Sequence, residues 1–138
     1  MKRYFIYLFF GISFGSCSIP ESKQQINIKA DNVLMTVFET GDITLLDGII
    51  DPDFVNHTGG GQVGLDNLKN MVKSFHSNNL NLKMEVITQM LNDDYVVDWV
   101  QFTGSNPSIS IEGMEVTRYT DGLAREHWFF PKNQNSGN

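Results

Sequence analysis

The chain has 138 residues, of which 41% are hydrophobic, so it is long enough to bury one hydrophobic core and suits a single domain. Its 10 basic and 16 acidic residues give a net charge of −6 at pH 7. Because an acidic surface repels phosphate backbones, we expect no nucleic-acid partner.

The first residues predict a signal for export. Lys2 and Arg3 are positively charged, and residues 4–12 (YFIYLFFGI) form an apolar run too short to span a bilayer of about 30 Å as a helix. The passage that follows, residues 14–17 (FGSC), resembles a bacterial lipobox, in which the cysteine is lipidated and becomes the first mature residue. Acylation of Cys17 would also consume the only thiol of the chain.

We therefore expect residues 1–17 to be a lipoprotein signal peptide that places the protein in a bacterial cell envelope, anchored to the membrane through lipid on Cys17. Removing Lys2 and Arg3 with the signal leaves 8 basic against 16 acidic residues, a net charge of −8. An ordinary secretory signal, which would give a secreted or periplasmic protein, and an uncleaved anchor are the alternatives.

Three helices are predicted after a polar tether at residues 18–24. The first has apolar residues at helical spacing on one face, and Gly41 is placed to end it. A second, short helix spans residues 43–50 before Asp51-Pro52-Asp53 interrupts it. A third follows Gly64. The apolar positions of the first and third helices are Ile26, Ala30, Val33, Leu34, Val37 and Phe38, and Leu65, Leu68, Val72 and Phe75.

Extended segments make up most of the rest of the chain. Residues 54–57 predict a short strand, and residues 82–91, 95–103, 109–120 and 123–130 predict four strands joined by hairpins. Asp121-Gly122 is a strong hairpin signal. We expect a domain at residues 25–132, of class α+β with three helices packed on one face of a curved antiparallel sheet, and a disordered polar tail at 133–138.

Four passages, in this order, resemble the SnoaL-like polyketide cyclase family of the nuclear transport factor 2-like superfamily, to which ketosteroid isomerase and scytalone dehydratase are related. They are residues 38–42 (FETGD) with 51–57 (DPDFVNH), 64–68 (GLDNL), 94–97 (DYVV) and 116–128 (VTRYTDGLAREHW). The resemblance implies a cone-shaped fold, in which the sheet and three N-terminal helices enclose an apolar pocket. It also implies a small-molecule ligand, no cofactor and pairing into a homodimer through the sheet.

Two residues are candidates for catalysis. His57 matches the histidine of the family's first passage, and imidazole exchanges protons near neutral pH. Asp98 places a carboxylate among apolar neighbours in its strand, which suits acid–base work. The alternatives are structural: His57 would hold the loop at residues 59–61, and Asp98 would pair with Arg118 or Arg125 or face solvent.

The last strand supplies further candidates. Glu126, Trp128 and Phe130 alternate onto one face, where the tryptophan would line the pocket, while Glu126 would alternatively pair with an arginine. The resemblance implies an acid–base aspartate four residues after the tryptophan, but Lys132 stands there. The full set of candidate ligand-binding residues is Phe54, His57, Trp99, Arg118, Glu126, Trp128 and Phe130.

Other kinds of site find no support in the sequence. The three histidines, His57, His76 and His127, lack the spacing of a metal site, and no phosphate loop or nucleophile elbow is present. Our leading hypothesis is a SnoaL-like envelope lipoprotein that binds a small, mainly apolar ligand bearing a carbonyl or hydroxyl group. The alternatives are a cofactor-free acid–base enzyme (a cyclase, isomerase, dehydratase or epoxide hydrolase) and a protein-interaction module that uses the sheet face.

Overall fold

The computed structural model describes residues 20–58 and 60–132. The predicted signal peptide, Cys17 and the predicted tail lie outside the described residues. No helix in the part of the chain described is long and apolar enough to cross a membrane.

Helix α1 (Lys23–Thr40) begins at a reciprocal cap. The Ser22 hydroxyl accepts a hydrogen bond from the Gln25 backbone N–H at 3.2 Å, and Gln25 Oε1 accepts one from the Ser22 N–H at 2.9 Å. The helix ends at Gly41, whose φ of 75° favours glycine. Its buried face carries the predicted residues Leu34, Val37 and Phe38, but also the polar residues Asn27 and Asp31.

The prediction of three helices is wrong, because the second is only a 3₁₀ turn at Ile43–Leu46. Gly48, with φ of 88°, breaks the chain direction, and Ile50 pairs with Ala124 of the sheet. The apolar residues that suggested a helix therefore belong partly to a strand. The second α-helix of the structure is α2 (Leu65–Asn78), which buries Leu68 and Val72 as expected.

Within residues 20–58 and 60–132 the sheet has six strands. They are β1 (Ile50–Asn56), β2 (Gln62–Val63), β3 (Leu80–Leu91), β4 (Tyr95–Ser105), β5 (Ile109–Thr120) and β6 (Leu123–Pro131). The four predicted hairpin-linked strands are confirmed as β3 to β6, and the predicted short strand is the end of β1. The strand order is β2-β1-β6-β5-β4-β3, with only β1 and β6 parallel.

The sheet curls around α1 and α2 without closing, which confirms the α+β class and the cone-shaped architecture. We call the face that packs on the helices the inner face and the opposite face the outer face. The turn between β5 and β6 has positive φ at both Asp121 (51°) and Gly122 (78°), as two-residue hairpins prefer. The Gly122 N–H donates to Asn27 Oδ1 at 3.0 Å, so this turn is attached to α1.

Candidate functional site

An apolar cavity of about 240 Å³ lies between the helices and the inner face of the sheet. Three polar side chains, those of Thr58, Glu115 and His127, reach it. Its remaining walls come from α1, α2 and strands β4 to β6, and they are formed by Phe38, Met71, Val72, Phe75, Phe102, Ile111 and Phe129.

Edge-to-face aromatic contacts define the shape of the cavity. The Phe102 ring lies 5.8 Å from the Phe75 ring at 90° and 6.3 Å from the Phe129 ring at 85°. Such pairs contribute about 0.5–1.5 kcal/mol beyond the burial of their surface. The cavity wall is therefore held by one aromatic residue from each of α2, β4 and β6.

Glu115, His127 and Asn56 form a buried hydrogen-bonded chain at the cavity wall. His127 Nε2 lies 2.5 Å from Glu115 Oε2, and these side chains are 3% and 6% exposed. On the other side of the ring, His127 Nδ1 lies 3.2 Å from Asn56 Oδ1. The chain joins β5, β6 and the end of β1.

The Asn56 amide determines which nitrogen of His127 carries a proton. Asn56 Oδ1 accepts the Thr58 N–H at 2.9 Å, so this atom is an acceptor and His127 Nδ1 must donate to it. A hydrogen bond between His127 Nε2 and Glu115 then requires a second proton, held either by the imidazole or by the carboxyl group. In both cases a transferable proton lies at the wall of an apolar cavity.

A second polar cluster lies beside the first, deeper under α1. The Tyr119 hydroxyl donates to Asp31 Oδ1 at 2.9 Å, and Gln89 Nε2 donates to Asp31 Oδ2 at 3.3 Å. Asp98, 1% exposed, lies beside Asp31 and directly opposite Glu115 in the β4–β5 register. Neither Asp98 oxygen has a hydrogen-bond partner within the described residues.

Burial, with a contribution from the adjacent Asp98, raises the pKa of Asp31 to about 9. The Asp31 carboxyl therefore retains its proton at neutral pH. Burial and the Asp31 carboxyl likewise hold the pKa of the Tyr119 phenol well above its usual value. Asp98, one of the two candidate catalytic residues, thus lies on the inner face but does not line the cavity.

His57, the other candidate, lies away from Asp98 on the outer face. Its side chain is 38% exposed, its ring stacks on Trp128 at 4.5 Å, and its Nε2 lies 2.9 Å from Glu126 Oε2. Glu126 also accepts the Arg118 guanidinium at 2.5 Å and 2.8 Å. The hydrogen bonds from Arg118, and to a smaller extent the one with His57, hold the pKa of the Glu126 carboxyl below its usual value. This cluster is a surface ion-pair network.

The other predicted ligand contacts also lie outside the cavity. Trp99 donates its indole N–H to Glu112 at 2.9 Å, Phe130 is 50% exposed, and Phe54 is buried in the core between β1 and the helices. Lys132, at the position of the family's aspartate, pairs with Glu112 at 3.0 Å. None of these side chains reaches the cavity lining.

A β-bulge in β6 explains why simple alternation predicts the opposite face of this strand as the pocket lining. Tyr119 pairs with Ala124, but Arg118 pairs with Glu126, so Arg125 is an extra residue in β6. An extra residue moves every following side chain to the opposite face. Ala124 faces inward, and after the bulge His127 and Phe129 do so instead of Glu126, Trp128 and Phe130.

The sequence carried weaker signals for the residues that do form the site. Glu115, Thr117 and Tyr119 alternate on one face of β5, and all three are buried. That face contains a carboxylate, a hydroxyl and a phenol where a purely structural strand would bury apolar side chains. Asp31 was similarly visible as a charged residue between the apolar positions Ala30 and Leu34 of α1.

The family model for the SnoaL-like domain matches residues 33–127 of this chain. No curated protein sequence matches it. Within the described residues, no group of three or more histidine, cysteine, aspartate or glutamate side chains is placed to hold a metal ion.

Several solved structures share the fold. A Bacillus cereus protein assigned as a polyketide cyclase is 20% identical, with a TM-score of 0.70 over 85% of this chain and 89% of its own. A Jannaschia protein assigned as a SnoaL-like polyketide cyclase is 14% identical, with a TM-score of 0.72 over 83% and 91%. A Methylobium petroleophilum protein with a cystatin-like fold is 15% identical, with a TM-score of 0.72 over 86% and 84%.

Proposed function

Because this chain belongs to the SnoaL-like domain family, we propose that it binds a small, mainly apolar molecule bearing a carbonyl or hydroxyl group. The observation that carries this proposal is the cavity of about 240 Å³, which is apolar except for Thr58, Glu115 and His127. Pockets of this kind take their affinity from apolar walls and their orientation from a few polar groups. The proton shared by Glu115 and His127 can be donated to a carbonyl oxygen, and the same pair can accept a hydroxyl proton.

Filling the cavity tests the proposal. Ile111 lines the cavity, whereas Met114, on the same strand, lies on the outer face. We expect Ile111→Trp to abolish retention of small molecules, measured by mass spectrometry of the solvent extract of the purified full chain, and Met114→Trp to leave retention unchanged. Equal retention by both variants, with unchanged thermal unfolding, would show that the ligand does not occupy this cavity.

The Glu115–His127 pair supports a second candidate, a cofactor-free acid–base enzyme of the cyclase, isomerase, dehydratase or epoxide hydrolase type. A group that takes a proton from carbon beside a carbonyl and returns it elsewhere needs a donor–acceptor pair inside an apolar site, and this pair has both features. Incubating the extracted ligand with protein in D₂O tests it. Catalysis predicts deuterium in the ligand with the native chain and none with Glu115→Gln; binding alone predicts none with either.

The proposed location is the bacterial cell envelope, with the chain exported and held by lipid on Cys17. Its support is the positively charged start, the apolar run at residues 4–12 and the lipobox-like passage at residues 14–17. Secretion without an anchor is the alternative. In an envelope, the ligand would be a molecule that arrives from outside or lies in the membrane.

A homodimer through the outer face of the sheet is also proposed. Two rows of paired side chains cross this face, and at their ends Met90 is 54% and Phe130 50% exposed. We call the whole set the outer apolar patch: Met90, Val97, Val116 and Trp128 in one row, and Trp99, Met114 and Phe130 in the other. Apolar patches of this kind mark contact surfaces. A monomeric mass in solution would instead favour a different protein as the partner of this patch.

A further inference from the structure

A second, polar groove lies against the same wall as the cavity. It has a volume of about 510 Å³ and opens on the side of α2 next to β2. Its polar lining is Gln62, Asn67, Asn70, Ser74, Asn78 and Asn79. We call it the amide groove, since five of these six side chains are amides and none is charged.

Met71 and Phe75 line both the amide groove and the apolar cavity. They lie one helical turn apart on α2, and both are half-buried. These two side chains therefore form a wall that the two spaces share. Methionine is unbranched and adapts to different neighbours, so it is suited to a wall that a ligand crosses.

The size of the cavity argues that it does not hold a whole ligand. Pockets for small molecules usually measure about 300–1,000 Å³, and this cavity measures about 240 Å³. A ligand that fills it with its apolar part must place the rest elsewhere. The amide groove is the space that adjoins it.

The side chains of the amide groove indicate which chemical groups the rest of the ligand would carry. Within the described residues, the side chains of Gln62 and Asn70 have no hydrogen-bond partner, so their donors and acceptors are available. Asn67 and Asn78 use their N–H groups on Val63 and Ser74, which leaves their oxygens as acceptors. A lining that both donates and accepts, without charge, fits hydroxyl or amide groups better than a carboxylate or an ammonium group.

We propose that the amide groove is a second subsite, which binds the uncharged, hydroxyl- or amide-bearing head of an amphiphilic ligand whose apolar part enters the cavity between Met71 and Phe75. This inference rests on the proposed function of the cavity and names the class of molecule that it serves. The ligand is a neutral amphiphile, with a short apolar group and a polyhydroxyl or amide head.

Four probes with the same alkyl chain test the subsite by calorimetric titration of the full chain. They are 1-hexanol, hexyl β-D-glucopyranoside, heptanoate and hexylammonium. We expect the glucoside to bind roughly three- to tenfold more tightly than 1-hexanol, because one or two hydrogen bonds are gained. The two charged probes should bind more weakly than the glucoside.

Two variants test whether the tighter binding of the glucoside depends on the amide groove. Removing the free amides in a Gln62→Ala, Asn70→Ala double variant should bring the glucoside to the affinity of 1-hexanol and leave 1-hexanol unchanged. Asn32→Ala, an exposed amide on α1, should change neither.

The failures of the two proposals are distinguishable. If 1-hexanol does not bind, the cavity is not a ligand site and the proposed function fails. If 1-hexanol binds but the glucoside binds no better, or a charged probe binds best, or the double variant behaves like the native chain, the amide-groove subsite is overturned and the cavity proposal stands.

Discussion

Asp31 and Asp98 place two carboxyl groups side by side where they are 0% and 1% exposed. Neighbouring like charges in a buried site are avoided when one group keeps its proton. Two carboxyl groups therefore lie at the contact between α1 and β4 without an ion pair.

The stability of the fold should consequently depend on pH through this pair. The pKa of Asp31 is raised from 3.8 to about 9 in the folded chain. Between these values the folded state holds a proton that the unfolded state has released, so this contribution to stability is complete below about pH 4 and is lost as the pH rises towards 9.

Asp31→Asn should remove this dependence, because an amide at this buried position does not titrate. We expect the stability of the native chain relative to the variant to fall by at least about 1 kcal/mol between pH 5 and pH 9, measured by urea denaturation. Asp53→Asn, at an exposed carboxylate, is the control. Parallel curves for the native chain and Asp31→Asn would contradict the raised pKa of Asp31.

Among the helices and strands, β6 shows which features the sequence predicts and which it does not. The hydrophobic spacing of α1 and α2 and the Asp121-Gly122 turn were sufficient to predict both helices and the four-stranded meander. The bulge at Arg125 was not predictable from alternation, since the pattern of the strand reads equally well on either face. Alternation therefore predicts that Glu126 and Trp128 line the pocket, whereas His127 is the residue that reaches it.

The helix predicted at residues 43–50 is wrong for a different reason. The apolar residues there suit a short helix, but Ile50 forms a strand contact with Ala124, more than 70 positions later in the chain. Long-range pairing of this kind has no local signal. The same holds for Glu115 and Asp98, which face each other only because β4 and β5 are in one register.

An ion pair between Arg125 and Asp51 holds the bulge against β1. The Asp51 side chain is 6% exposed, so Arg125→Ala would leave a buried carboxylate without its partner. We expect a loss of about 1–3 kcal/mol in the free energy of unfolding. Arg118→Ala, on the other side of the bulge, breaks a more exposed pair with Glu126 and should cost less than about 1 kcal/mol. Equal losses would argue that the Asp51 pair does not stabilise the bulge.

For the molecule as a whole, the inner and outer faces of one sheet carry different features. The inner face carries the cavity and both polar clusters, and the outer face carries the outer apolar patch and the Arg118–Glu126–His57 network. Since the two faces share the same strands, each substitution on β5 or β6 affects one face and has a natural control on the other. The Ile111 and Met114 pair uses this property.

The proposed anchor is a property of the entire chain and is tested on it. Cys17→Ala removes the acceptor for lipid, so we expect the protein to move from the membrane fraction to the soluble fraction after cell fractionation. Ser16→Ala, beside the cysteine, should leave the protein in the membrane fraction. Membrane retention of Cys17→Ala would contradict lipid anchoring.

The start of α1 at Lys23, directly after its Ser22 cap, has a consequence for where the protein would operate. Only residues 18–22 would then separate a lipid on Cys17 from a rigid helix, and five extended residues reach at most about 18 Å. Hydrogen bonds from Asn27 and Asp31 attach α1 to the sheet and its turns. The whole domain would therefore stay within about this distance of the membrane surface. The pocket would sample molecules in the thin layer of water next to the lipid headgroups and not in the bulk of the surrounding space.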